Sequence, residues 1–145
     1  MNRSADDLAS LAARYGVRDL YVFGSRAQEI AERVRGGQEA AGEAHAPTSD
    51  VDIAVQPIGG HELGPREKVR LADELERLFG ARRVDLVILG EAGAFLATEV
   101  VQGELLYTSD QRAQAEHELY VLRRAADLAP FRRERVRLIL TEGAR

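Results

Sequence analysis

The chain contains no cysteine. A disulfide framework and a zinc–thiolate site are therefore both excluded, and the absence fits a reducing compartment. Long apolar runs are missing as well: nothing approaches the roughly 20 consecutive apolar residues of a membrane-spanning helix. The opening stretch, MNRSADDLAS, lacks the apolar core of a secretory signal. Together these absences predict a cytoplasmic protein with no membrane partner. Lysine is nearly absent, one against 19 arginines. We read this as coding bias, since the usual signature of heat adaptation pairs lysine with glutamate. A positive excess is also missing. The net charge is −4, so direct nucleic-acid binding is not expected.

What is present suits one soluble domain of 145 residues, 45% hydrophobic and 30% charged. A chain of this length buries enough surface for a real core. Its charge is uneven: residues 1–109 carry 12 basic and 18 acidic side chains, residues 110–145 carry 8 and 6. The tail is thus slightly basic and could meet an acidic partner.

Hydrophobic spacing predicts the order of elements. Ser4 caps a helix with Leu8, Leu11, Ala12 and Tyr15 at helical spacing, and Gly16 stops it. DLYVFG (19–24) reads as a strand, and SRAQEIAERVRG as a helix capped by Ser25. Residues 36–48, GGQEAAGEAHAPT, read as a flexible surface loop. A strand at 51–55 follows, then a helix at 65–80 with Pro65 in its first turn. Val69, Leu71, Leu75, Leu78 and Phe79 supply most of that helix's apolar face. RRVDLVILG (82–90) is a further strand, 91–103 a helix and 104–108 a short edge strand. A long helix runs from Ser109, is broken or kinked at Pro130, and resumes over FRRERVRLIL. Helices alternating with short strands indicate an α/β domain: a core at 1–108 and a C-terminal helical extension at 109–145.

Two of the apolar strands contain acids. In SDVDIAV, Asp50 and Asp52 sit two apart and so share a face, while Val51, Ile53 and Val55 take the other. Asp85 lies within the next strand. Strands disfavour aspartate, and three like charges on one sheet face need a cation. Magnesium suits such a set, since it takes oxygen ligands and is usually shared with substrate phosphates. The bland alternatives are that Asp50 and Asp52 are strand-end residues facing solvent, and that Asp85 pairs with Arg82 or Arg83.

Upstream, YVFGSRA runs from strand through Gly24-Ser25 into a helix. That junction presents backbone N–H groups and a helix N-terminus to an anion. Gly24 allows close approach, and the Ser25 hydroxyl and Arg26 guanidinium could add phosphate contacts. Arg26 could equally be a solvated helix start. A phosphate cradle beside a carboxylate-bound metal is the equipment of phosphoryl or nucleotidyl transfer.

Gly-Ser, then Asp-x-Asp on a strand, then a third Asp on a later strand resembles the DNA polymerase β-like nucleotidyltransferase superfamily. FGSRA, SDVDIAV and VDLVIL are similar to its minimal nucleotidyltransferase branch. GELLYTSDQRAQAEHELYVLRRAADLAPF is similar to the C-terminal part of MntA-type antitoxins of HEPN–MNT toxin–antitoxin pairs. The resemblance implies a short mixed sheet flanked by helices. It implies that Gly24, Ser25 and Arg26 bind nucleotide phosphates, and that Asp50, Asp52 and Asp85 are catalytic and hold two magnesium ions. The implied reaction moves AMP from ATP onto a tyrosine of a helical HEPN ribonuclease toxin, which it silences. One departure stands out: 24 residues separate Ser25 from Asp50, more than the family's usual spacing. The excess falls in 36–48, where a loop insertion costs little in closure entropy.

Two other functions fit the same motifs. One is nucleotidyl transfer to a small molecule or RNA; the other is neutralisation of a toxin by binding alone. The remaining features read as surface or packing. His45, His61 and His117 do not cluster and are expected at the surface. Arg132, Arg133, Arg135 and Arg137 form a solvated helix face or a partner-binding element. Leu119, Val121, Leu122 and Leu128 pack on the sheet or on a partner helix.

Overall fold

A computed structural model describes residues 3–36 and 50–142. The elements are α1 (Arg3–Arg14), β1 (Val17–Phe23), α2 (Ala27–Gly36), β2 (Val51–Pro57), α3 (Pro65–Phe79), β3 (Val84–Ile88), α4 (Ala94–Val101), β4 (Glu104–Thr108) and α5 (Gln111–Glu142), with a 3-10 turn at Leu89–Glu91. The strands form one mixed sheet in the order β3-β2-β1-β4. β1 is antiparallel to both β2 and β4, and β2 is parallel to β3. The expected short edge strand is thus β4.

Alternation along β1 and β2 divides the interior into two layers. Leu20, Val22, Val51, Ile53 and Val55 face one way and are fully buried against Leu8 and Leu11 of α1, Ile30 of α2 and Leu71 and Leu75 of α3. The opposite face carries Tyr21, Phe23 and Ala54, packed with Ala97 and Val100 of α4 and Val121 of α5. The second layer is the thinner one. An eight-residue helix such as α4 is only about 12 Å long, and with α5 it buries the Asp19 end of that face while the Asp52 end stays partly exposed.

Local chemistry accounts for the element ends. The Gly64 N–H donates to Glu67 Oε1 at 3.1 Å, and Pro65 opens α3. Gly80 closes α3 in the left-handed conformation, with its N–H on Arg77 O.

The structure departs from the sequence reading in several places. Ser25 is not a helix cap: it sits in a turn with Gly24 and Arg26, and α2 starts at Ala27. Val69 is 62% exposed, so the buried face of α3 is Leu71, Leu75 and Phe79. The helix expected at 91–103 is shortened to Ala94–Val101 by the 3-10 turn before it. Pro130 does not end α5, which is continuous through it. His61 is exposed, but His117 is half-buried. Apart from Gly36, the last residue of α2, the insertion at 36–48 lies outside the described residues, as does His45.

Candidate active site

The two acid-bearing strands are neighbours. β2 and β3 run parallel in a register that sets Asp52 directly beside Asp85. On the other flank, Asp52 stands opposite Phe23 of β1, and Gly24 follows at once. One end of the sheet therefore holds the Asp-x-Asp pair, the third acid and the glycine–serine turn.

Gly24 is required by this geometry. Its φ of +80° lies in the left-handed region, where a side chain is strained. A Cβ there would also press on Asp52 Oδ2, far inside van der Waals contact. The turn and the carboxylate are packed against each other, with only the missing side chain making room. Gly24 and Ser25 are exposed. The N-terminal end of α2, the positive pole of its dipole, opens at this turn.

The electrostatics of Asp52 are those of a crowded acid. Burial, followed by the neighbouring carboxylates Asp85, Asp50 and Glu99, pushes its carboxyl above the ordinary range. Asp50 is exposed at the mouth, and Asp52 and Asp85 are partly buried. Among the described residues, no three acids, histidines or cysteines gather tightly enough to form a finished metal cage. Asp85 instead takes Arg83, with Nε 3.2 Å from its Oδ1. This pair lies at the surface, where such bridges are weak and readily exchanged. The donor set nevertheless fits a hard divalent cation. All its members are carboxylate oxygens, and Asp52 has only negative neighbours for a cation to relieve.

Arg26 is neither a solvated helix start nor directed freely to solvent. It is buried, and its guanidinium meets Glu29 at 2.9 and 3.3 Å. Glu29 also receives Arg33 at 2.9 Å. Beyond the turn, an open cleft of about 450 Å³ is lined by Gly24, Ser25, Gln28, Glu99, Gln102 and Glu104. Arg35 pairs with Glu104 at 3.1 Å on its rim.

Glu99 went unnoticed in the sequence. Its signal was a single carboxylate in AFLATEVV, an otherwise uncharged helix. Only the fold reveals that α4 carries it over the Asp52 end of the sheet.

A short mixed sheet that offers a glycine–serine turn and clustered carboxylates at one end is the frame of a nucleotidyltransferase. Residues 6–112 match the family model described as Polymerase beta, Nucleotidyltransferase, and the chain belongs to that family. No curated protein matches the chain. Solved structures do. A toxin–antitoxin structure with AMP-PNP aligns at TM-score 0.68 and 23% identity, covering 94% of this chain and 98% of that one. The MNT antitoxin in complex with tri-AMPylated HEPN toxin of Shewanella oneidensis aligns at TM-score 0.66 and 20% identity, over 97% and 100%. A toxin–antitoxin MntA–HepT structure aligns at 0.66 and 19%, also over 97% and 100%. At these identities the likeness shows the fold, and it extends over α5 as well as the family core.

Proposed function

We propose that the chain is the antitoxin of a HEPN–MNT pair and acts as a protein adenylyltransferase: it moves AMP from ATP onto a tyrosine of a HEPN-type toxin. The observation that carries this reading is the register pairing of Asp52 with Asp85 beside the Gly24-Ser25 turn, in a family whose chemistry is nucleotidyl transfer. The match in fold along nearly the whole chain to antitoxins held with AMP-PNP or with an AMPylated toxin supports the choice of nucleotide and acceptor. Among the described residues no helix is long and apolar enough to cross a membrane.

Asp50, Asp52 and Asp85 would hold magnesium, two ions on the family pattern. Bound there, magnesium supplies charge neutralisation of the triphosphate and a more acidic acceptor hydroxyl. The chain's own groups do the rest. Gly24 and Ser25 offer backbone and hydroxyl donors to the phosphates. Arg26, held by Glu29, supports the start of α2 and would add its cationic charge behind the phosphates. Asp85, on the edge strand β3, would take the tyrosine proton. The tyrosine oxygen then bonds to the α-phosphorus as pyrophosphate departs.

The test is to incubate the protein with ATP, magnesium and the HEPN protein encoded beside it, then weigh the partner intact. A gain of one or more AMP masses, absent with the Asp50→Ala, Asp52→Ala variant, is the expected result. An unmodified partner in a tight complex would leave neutralisation by binding. AMP on RNA or a small molecule would move the acceptor elsewhere.

A further inference from the structure

The last three turns of α5 have no place in the chemistry above. From Pro130 to Thr141 every residue is exposed. Yet this segment is rich in large apolar side chains: Phe131 and Leu140 are each 73% exposed, Ile139 57% and Val136 46%. At 100° per residue, Leu128, Phe131, Leu138 and Ile139 fall on one side of the helix. Arg133, Arg137 and Thr141 fall on the other, with Glu134 bridging to Arg137 at 2.6 Å. The apolar side continues the stripe that Val121 buries against the sheet. Where α5 leaves the body, the Arg132 guanidinium stacks on Phe95, 4.4 Å from the ring centre.

A helix of a dozen residues standing alone is marginal in water, and contiguous exposed apolar surface marks a site of association. The chemistry of the stripe specifies the occupant. Arg132 and Arg135 lie among its apolar residues, so whatever covers it must supply carboxylates as well as an apolar groove. A second copy of this chain would set these arginines against their own counterparts. RNA has no use for Phe131, Leu138 and Ile139.

We infer that the apolar side of α5 from Leu128 to Ile139 docks the protein substrate of this enzyme, through an apolar helical groove rimmed by acids. The inference rests on the proposed function for the identity of that substrate, the neighbouring HEPN protein. It adds where the antitoxin grips it.

Binding of the full-length chain to the purified HEPN protein, followed by titration calorimetry, tests this. Two variants are compared with the native chain: Phe131→Glu with Ile139→Glu, and Arg132→Glu with Arg135→Glu. Each should weaken binding about 30-fold or more, the scale of interface hot spots. Far-UV circular dichroism should stay unchanged in both variants, because the substituted residues are exposed; melting should hold in the first and fall only slightly in the second, which also loses the stacking of Arg132 on Phe95. Unchanged affinity in both variants would overturn the inference. So would a loss confined to self-association by sedimentation, or to co-purifying RNA. The two readings fail separately. A partner that binds through α5 but gains no AMP leaves the docking site and removes the catalytic reading. A partner modified by both variants with its native KM does the reverse.

Discussion

Two aspartates stand at opposite ends of one sheet face, and their surroundings differ in kind. Asp19 and Asp52 both belong to the side lined by Tyr21, Phe23 and Ala54. Asp19 is fully buried and fully answered. Arg18 reaches its Oδ2 at 2.7 and 3.0 Å, and the Thr108 hydroxyl donates to its Oδ1 at 2.7 Å. Asp52 is partly open, and the charges acting on it are Asp85, Asp50 and Glu99. One acid is neutralised within the fold; the other is surrounded by its own sign. An acid satisfied internally holds structure. An acid that can be satisfied only from outside is available to a ligand.

The sharpest way to break this contrast is to remove each acid and measure both activity and stability. Asp50→Ala, Asp52→Ala should cut AMP transfer by about 10³-fold or more, the scale of losing a principal electrostatic element of a site. The fold should not suffer. Asp52→Asn alone should melt no lower than the native chain at pH 7 without magnesium, because it removes a carboxylate repelled by its neighbours. If that substitution lowers the melting temperature, Asp52 is a structural acid and the contrast is wrong.

Asp19→Ala should do the opposite. It leaves Arg18 partly buried without its carboxylate, and Thr108 without its acceptor. Loss of one partner from a buried pair costs on the order of 3 kcal/mol, given that Arg18 keeps some contact with water. Urea unfolding gives the value. Turnover per folded molecule should remain near native. A drop in turnover without a drop in stability would place Asp19 in the chemistry.

Smaller effects are expected where the catalytic end meets the turn. Gly24→Ala forces an alanine to φ +80°, a strain of about 1–2 kcal/mol. Its methyl group also displaces the Asp52 carboxylate. Activity should fall by more than the stability loss explains, read as single-turnover rate against fraction folded. Proportional losses would mean that Gly24 serves the turn alone.

The sequence disclosed the meeting of Asp52, Asp85 and the Gly24 turn well and the Asp19 end poorly, for a physical reason. Asp-x-Asp beside Val51, Ile53 and Val55 breaks the apolar pattern of a short strand twice, and a glycine–serine junction between strand and helix is a local signal. Asp85 breaks VDLVIL in the same way. Their meeting needed only the expectation that consecutive strands lie near each other. Asp19 also interrupts a strand, but Thr108, which donates to it, lies 89 residues away, and His117, which meets its partner Arg18, lies 99 residues from Arg18, beyond any local pattern. Glu99 was hidden for the same reason. Helix ends proved less legible still: Ser25 had the chemistry of a cap, yet the tight turn after Phe23 delays α2 to Ala27. Leu119, Leu122 and Leu128 looked like packing residues on the sheet or on a partner helix, but only Val121 of that group is buried in the fold, because Leu119 and Leu122 lie on other sides of α5 than Val121 at 100° per residue.

The smallest expected effect lies at the structural end and concerns pH. His117 stands over the Asp19 pair, with Nδ1 3.4 Å from Arg18 Nη2 and its ring stacked on Tyr120. Burial, then the Arg18 charge, lowers its pKa from the ordinary histidine value, and Asp19 offsets this in part. The folded chain therefore prefers the neutral imidazole, to which Arg18 can donate. Below the ordinary value of about 6.5 the unfolded chain binds the proton more readily than the folded one, so stability rises with pH through that window and is lost as pH falls through it. Glu116 and Glu118 flank His117 on α5; Glu116 is exposed and pairs with Arg112 at 3.2 Å, and Glu118 is partly buried. The His117→Gln variant should flatten the stability profile between pH 5 and 7, measured by urea unfolding, while leaving AMP transfer at pH 7.5 unchanged. An identical slope in variant and native chain would mean that the Asp19 pair is insulated from His117, and that the end of the sheet away from the active site has no titrating part.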